Sequence, residues 1–179
     1  MIWTGERITL RRPEKADAGA VFERWASDPE ATRFMAWPTH ETIEDANTFI
    51  QMSNTVWEKY GYGPMLIVHR ESGKVIGSAG FMPRDATATD TGYILGKTYW
   101  GQGLASEALT LCVEYAPALG IKRLCADIHP SNIASRSVAK KCGFVIDTDM
   151  STGCCIFPQI NPEIPLATVR YVLDLGEGA

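Results

Sequence analysis

One stretch constrains this chain more than any other: Tyr99-Trp100-Gly101-Gln102-Gly103-Leu104-Ala105-Ser106-Glu107-Ala108. An apolar strand-like run, Gly92-Tyr93-Ile94-Leu95, precedes it. A helical stripe of Leu104, Ala108, Leu109, Cys112, Val113 and Ala116 follows it. Two glycines therefore stand where a strand hands over to a helix. The first amides of a helix have no intrahelical partner, and the helix dipole favours negative charge beside them. Such a turn is either a tight connection or a cradle for a phosphate. It is not a P-loop, because no Lys-Ser or Lys-Thr pair follows the glycines, and the dinucleotide G-x-G-x-x-G spacing is missing.

The rest of the chain reads as strands and helices in mixed order. Ile8-Thr9-Leu10-Arg11 alternates as a short strand, and Ala18, Val21, Phe22 and Trp25 predict a helix over residues 15–27. Asp28-Pro29 ends it, and Phe34, Met35, Trp37 and Pro38 make an aromatic loop that is either a core plug or one wall of an acceptor pocket. Thr42 and Asp45 form a capping box for a second helix reaching about residue 58. Residues 65–69 and 75–81 predict a hairpin, and a polar loop from Pro83 to Thr91 leads to the central strand. After the third helix, stopped at Gly120, come a strand at 123–129, a short helix from Ser131 or Asn132 to Lys141, and strands near 144–146 and 167–173. Residues 151–166 form a connection with no assigned element. With 179 residues and no linker or repeat, the chain is read as one domain, 1–179.

A net charge of -4 argues against a broad basic surface for nucleic acid. No run of about twenty apolar residues is present, and Met1-Ile2-Trp3-Thr4-Gly5-Glu6 lacks the pattern of a signal peptide, so neither membrane insertion nor export is expected. The five cysteines, Cys112, Cys125, Cys142, Cys154 and Cys155, contain no C-x-x-C pair and suit free thiols in the reducing cytoplasm. His40, His69 and His129 match no metal-ligand spacing, and no metal site is expected.

Three pieces of the chain resemble the GNAT acetyltransferase superfamily, and within it the bacterial branch that acetylates N-terminal amines of ribosomal proteins. The first is the glycine stretch, where Trp100, Gly103 and Ala105 fall on places of the family's pyrophosphate loop. The second is Asn132-Ile133-Ala134-Ser135 with Val138, Lys141, Gly143 and Phe144. The third is Ile8-Thr9-Leu10-Arg11-Arg12-Pro13 with Asp17-Ala18. The likeness spans roughly residues 6–173. It implies an α/β fold, a mixed and mostly antiparallel central sheet flanked by about four helices.

The resemblance further implies acetyl transfer from acetyl-CoA directly to a primary amine, either a protein N-terminus or a small molecule such as an amino acid, polyamine or aminoglycoside. A non-catalytic acetyl-CoA-binding module is the alternative, and a homodimer is compatible with either. Cofactor contacts fall on Tyr93, Ile94, Leu95, Trp100, Gly101, Gln102, Gly103, Leu104, Ala105, Asn132 and Ser135. A backbone amide at Ile94 or Leu95 is the candidate donor to the thioester oxygen. Asp90 is the candidate for deprotonating or attracting the amine, with Phe34, Met35 and Trp37 beside the acceptor. Where relatives carry a tyrosine acid this chain has Ala139, which leaves Ser135 as the candidate donor to the thiolate. The chain also departs from the branch at Asp149-Met150-Ser151-Thr152-Gly153, which does not match the usual Glu-Gly-Arg continuation.

Overall fold

The computed structural model describes residues 1–148 and 152–176. Most of the late departure, Asp149 to Ser151, lies outside the described residues. A nine-stranded sheet forms the centre, built from β1 (Ile2–Thr4), β2 (Ile8–Arg11), β3 (Pro64–His69), β4 (Val75–Pro83), β5 (Thr89–Leu95), β6 (Arg123–Ile128), β7 (Val145–Ile146), β8 (Thr152–Phe157) and β9 (Asn161–Asp174). The order is β1-β2-β3-β4-β5-β6-β9-β7, with β8 also on β9. Among the described residues only β5 and β6 run parallel, and they pair at Thr89↔Leu124 and Asp90↔Cys125. Every other pairing is antiparallel. The expected architecture is the one observed.

Helices cover both faces. On one lie α1 (Ala18–Val21) and α2 (Ile43–Tyr60); on the other lie α3 (Leu104–Tyr115) and α4 (Ile133–Lys141). Val21, Trp25, Ile50, Leu66 and Ile94 fill the core beneath the first pair. Leu104, Ala108, Leu109, Cys112, Phe144 and Tyr171 fill the core beneath the second. Each such aliphatic side chain contributes about 1.5–3 kcal/mol when fully buried.

The caps follow the sequence closely. Thr42 and Asp45 complete the capping box of α2, and Gly61, in the left-handed region, closes it. The first helix departs from a uniform 15–27 reading. It opens as a 3-10 turn at Lys15–Asp17, runs as α1, and widens to a π turn at Phe22–Ala26. The cause is local, since the Phe22 carbonyl accepts from both the amide and the hydroxyl of Ser27.

Three sequence expectations are corrected. The Pro83–Thr91 loop is shorter, because β4 extends to Pro83 and β5 already starts at Thr89; Asp90 lies inside the strand, not ahead of it. The unassigned connection at 151–166 is mostly a hairpin of β8 and β9, turning between Phe157 and Asn161. Ile2–Thr4 adds an edge strand on β2. Both additions take their order from a partner strand rather than from strong patterning of their own.

Arg11 of β2 holds Asp17 with two hydrogen bonds of 2.8 and 2.7 Å, and the Glu14 amide adds a third at 2.7 Å. Burial works to raise the Asp17 pKa, but these bonds outweigh it and leave the carboxyl below its ordinary value. Its stabilising contribution is therefore complete at neutral pH and is lost as pH falls through that lowered pKa. Asp17→Asn is expected to cost about 1–3 kcal/mol at pH 7 and less under acid. Urea unfolding at the two pH values checks this; equal losses at both would count against the charged pair.

Candidate active site

The parallel contact of β5 with β6 ends after two residue pairs. Beyond Asp90, β5 stays on β4 through Leu95, whereas β6 follows β9 through six registered pairs. The two strands diverge and leave a gap in the sheet. The Gly96 amide bonds back to the Ile76 carbonyl of β4 at 2.9 Å. By strand alternation the Ile94 amide also faces β4, and the Tyr93 and Leu95 amides face the gap. Of the two proposed oxyanion donors, Leu95 keeps its amide on the open side and Ile94 does not. Buried backbone donors need partners, so this edge is suited to an extended polar ligand.

A cleft of about 1070 Å³ occupies the gap and reaches both faces of the sheet. Trp25, Phe34, Met35, Trp37 and Phe49 line one end; Asn132, Ser135, Ala139 and Leu109 line the other. Phe34, Met35 and Trp37 are thus wall residues, although Met35 and Trp37 also pack on the core with Trp25. Phe34 stacks on His129 at 5.1 Å, and Phe157 of β8 meets the same imidazole edge-on at 5.2 Å. The β8 strand, with Cys154, Cys155 and Phe157 on the cleft wall, closes the side of the acceptor end.

Asp90 lines the cleft, its side chain 42% exposed there. One fork of Arg84 bonds Asp90 Oδ1 at 2.5 Å; the other bonds Asp127 Oδ2 at 2.9 Å. Arg170, facing Asp127 across the β6–β9 ladder, bonds both Asp127 oxygens at 2.8 and 3.1 Å. The two carboxylates are pushed apart in acidity. Burial raises Asp90 more than Arg84 lowers it. Asp127 also feels burial, but two guanidiniums hold it below its ordinary value. Asp90 is therefore the more basic carboxylate and Asp127 the fixed counter-ion of Arg84.

On the opposite face of β5, Tyr93 lines the cleft across from Ser135 of α4. Burial pushes the Tyr93 phenol above its ordinary pKa, and Ser135 nearby offsets part of that rise. Asn132 caps α4, its Oδ1 accepting from the Ser135 amide at 3.2 Å. Arg136, beside them, is engaged with the Tyr171 hydroxyl and the Pro130 carbonyl.

The glycine turn does not line this cleft; it lies at the N-terminus of α3. Gly101 and Gly103 have φ of 73° and 79°, conformations that other residues adopt only with strain. A side-chain frame holds the turn. Trp100 Nε1 donates to the Leu95 carbonyl at 2.8 Å, and Gln102 Nε2 to the Thr98 carbonyl at 2.8 Å. Arg7 donates to the Gln102 carbonyl at 2.7 Å. Glu107, one turn into α3, accepts from the Arg7 and Ile8 amides at 2.7 and 3.2 Å. The first α-helical bond runs from Glu107 to Gly103, so the amides just ahead of Glu107 have no partner within the helix. The residues present suit a diphosphate on that turn with an extended arm along the open edge of β5.

The sequence reading thus named two groups that the structure separates. Asp90, Tyr93, Ile94, Asn132 and Ser135 line the cleft, while Leu95 ends β5 and Trp100 to Ala105 form the neighbouring turn and helix start. It missed Arg84, Asp127 and Arg170, which come together only through strand register, and the anchoring role of Glu107. Cys142, suspected of no chemistry, bonds Thr110 and the Ser106 carbonyl, and burial pushes its thiol up.

Residues 7–145 match the family model described as an acetyltransferase (GNAT) domain, and the chain belongs to that family. It is 32% identical over 142 residues to the uncharacterised N-acetyltransferase p20 of Bacillus licheniformis, covering 78% of this chain and 79% of that one. It is 28% identical over 115 residues to the ribosomal-protein-serine acetyltransferase of Escherichia coli K12, covering 62% and 63%. Its fold matches the ribosomal L7/L12 alpha-N-protein acetyltransferase RimL, solved with coenzyme A, at a TM-score of 0.82, 19% identity and coverage of 99% and 100%.

A side chain at Gly103 would meet only Arg7, at 3.5 Å, so the obstacle there is backbone strain rather than crowding. A non-glycine residue in the left-handed region costs about 1–2 kcal/mol, and a β-branched one more. Gly103→Val is expected to weaken acetyl-CoA binding about tenfold or more by isothermal titration. Near-normal affinity in the folded variant would remove the turn from the cofactor site.

Proposed function

We propose that this chain moves an acetyl group from acetyl-CoA directly to a primary amine, and that its acceptor is a protein N-terminus. The observation that carries the reading is the cleft through the sheet. It joins an open strand edge on the α3–α4 side, next to the amide-rich turn, to an aromatic chamber on the α1–α2 side. A donor and an acceptor can enter from opposite faces and meet between the strands. The ribosomal-protein-serine acetyltransferase and the ribosomal L7/L12 alpha-N-protein acetyltransferase that this chain resembles support the acceptor class. So does the chamber's wall, which runs from Met52 of α2 to Phe157 of β8.

In this reading the donor's diphosphate rests on amides from Gly101 to Ala105, at the positive end of α3. Its arm runs beside Tyr93 to Leu95, and the Leu95 or Tyr93 amide faces the thioester oxygen. An ammonium has no lone pair, so the acceptor must first lose a proton. Asp90, raised by burial and held in place by Arg84, accepts that proton directly or through one water. Glu41 and Asp45 at the chamber's rim add negative charge that draws a cationic amine inward.

The test is an acetyl-transfer screen over ribosomal-protein N-terminal peptides, free amino acids, polyamines and aminoglycosides. A peptide is expected to give the highest kcat/KM; preference for a free small amine over every peptide would overturn the acceptor assignment. Asp90→Asn is expected to lower kcat about 10²-fold, the usual scale for losing a general base. The loss should be greatest at low pH, where the amine is mostly charged. An unchanged pH–rate profile would remove Asp90 from the mechanism.

A further inference from the structure

The Arg84 guanidinium is shared. Its Nη1 donates to Asp90 Oδ1 at 2.5 Å and its Nη2 to Asp127 Oδ2 at 2.9 Å, so two carboxylates on neighbouring strands compete for one cation. Arg170 of β9 lies beyond them and donates to both Asp127 oxygens, at 2.8 and 3.1 Å. The far half of this row is the better shielded. The Arg170 and Asp127 side chains are 11% and 17% exposed, against 42% for Asp90. β8 closes on that half. A Cβ on Gly153 would lie 2.7 Å from Arg170 Nη2 and 3.0 Å from Asp127 Oδ1, so glycine is what lets the strand pack there without moving the pair. Charges covered in this way are weakly screened, and they act on the charges next to them.

We propose that Asp127 and Arg170 are positioning residues for the proton transfer: Asp127 draws Arg84 away from full neutralisation of Asp90, and Arg170 limits how far it does so. This rests on the reading of Asp90 as the group that receives the amine's proton. A carboxylate bound by a whole guanidinium is a poor base. One that holds a single fork, with a second anion behind it, takes up a proton more readily. The directions agree with the geometry. Burial acts most on Asp90, upward, and Arg84 opposes it; beyond these, Asp127 pushes upward and Arg170 downward. Two thiols also feel Asp90, Cys125 of β6 and Cys155 of β8, and burial pushes both up, so they are neutral at pH 7. His40, Glu41, Asp45 and His129 line the same cleft and stay unchanged in every variant below.

The two residues are expected to move Asp90 in opposite directions. The readout is a carbon-13 NMR titration of protein labelled at its aspartate carboxyls, with Asp90→Asn identifying the resonance. The Asp90 midpoint should fall by about one pH unit in Asp127→Asn and rise by about as much in Arg170→Gln. The double variant should return close to wild type, and Arg170→Lys, which keeps the charge, should stay there. With the best acceptor from the screen, the acid limb of the kcat profile should follow each shift. A site that is merely loosened would move both single variants the same way and would not recover in the double. Midpoints that move together, or do not move, would overturn the proposal and leave the transfer reading standing. If Asp127→Asn does not fold, Arg170→Gln against Arg170→Lys decides alone. Midpoints shifted as expected in a protein that acetylates no amine would overturn the transfer reading and leave the charge coupling standing.

Discussion

The site depends on one interrupted pairing. β5 and β6 share hydrogen bonds only at Thr89–Asp90 and Leu124–Cys125, and each then follows its other neighbour. An open strand edge in the middle of a sheet is costly, because its amides and carbonyls must still find partners. Here the cost is met at the place where the fold needs a ligand. The divergence makes the cleft, frees the amides that face it, and lets one strand present different chemistry to each of two chambers.

What keeps that edge in place is largely electrostatic. Arg84 bridges the two sides of the gap, with Asp90 of β5 on one fork and Asp127 of β6 on the other. Arg170 secures Asp127 from β9. Four charges of alternating sign span three strands just below the opening, so the carboxylate we propose as base is also part of the clamp. Half-buried charges persist only when paired. This one arrangement therefore ties the two sides of the gap together, while burial raises Asp90 and the two guanidiniums hold Asp127 down. The glycine turn is held in a similar way, since Glu107, Arg7 and Trp100 tie it to the β1–β2 connection and to the end of β5.

The elements were legible wherever local chemistry was strong. The Thr42–Asp45 box, the 75–81 strand and the short helix opening at Ser131 or Asn132 follow from residue types and spacing, and each is present. Reading failed where order is borrowed. β8 and the first half of β9 contain Pro162, Pro165 and a pair of cysteines, which predict a loop; they form strands because each completes the other's ladder. Thr89 and Asp90 look like loop residues for the same reason, and β4 and β6 on either side make them strand.

The sequence by itself determined the turn that can hold an anion. Left-handed backbone at Gly101 and Gly103, and unpartnered amides at the start of α3, are properties of a few consecutive residues. Spacing also carried the family resemblance. Only the tertiary structure decided which groups share a site. Arg84, Asp90, Asp127 and Arg170 come from a loop and three strands, and Tyr93 of β5 and Ser135 of α4 line one cleft. The reason is that a proton-transfer group is defined by its distance and its dielectric surroundings, and both depend on residues far apart in the chain.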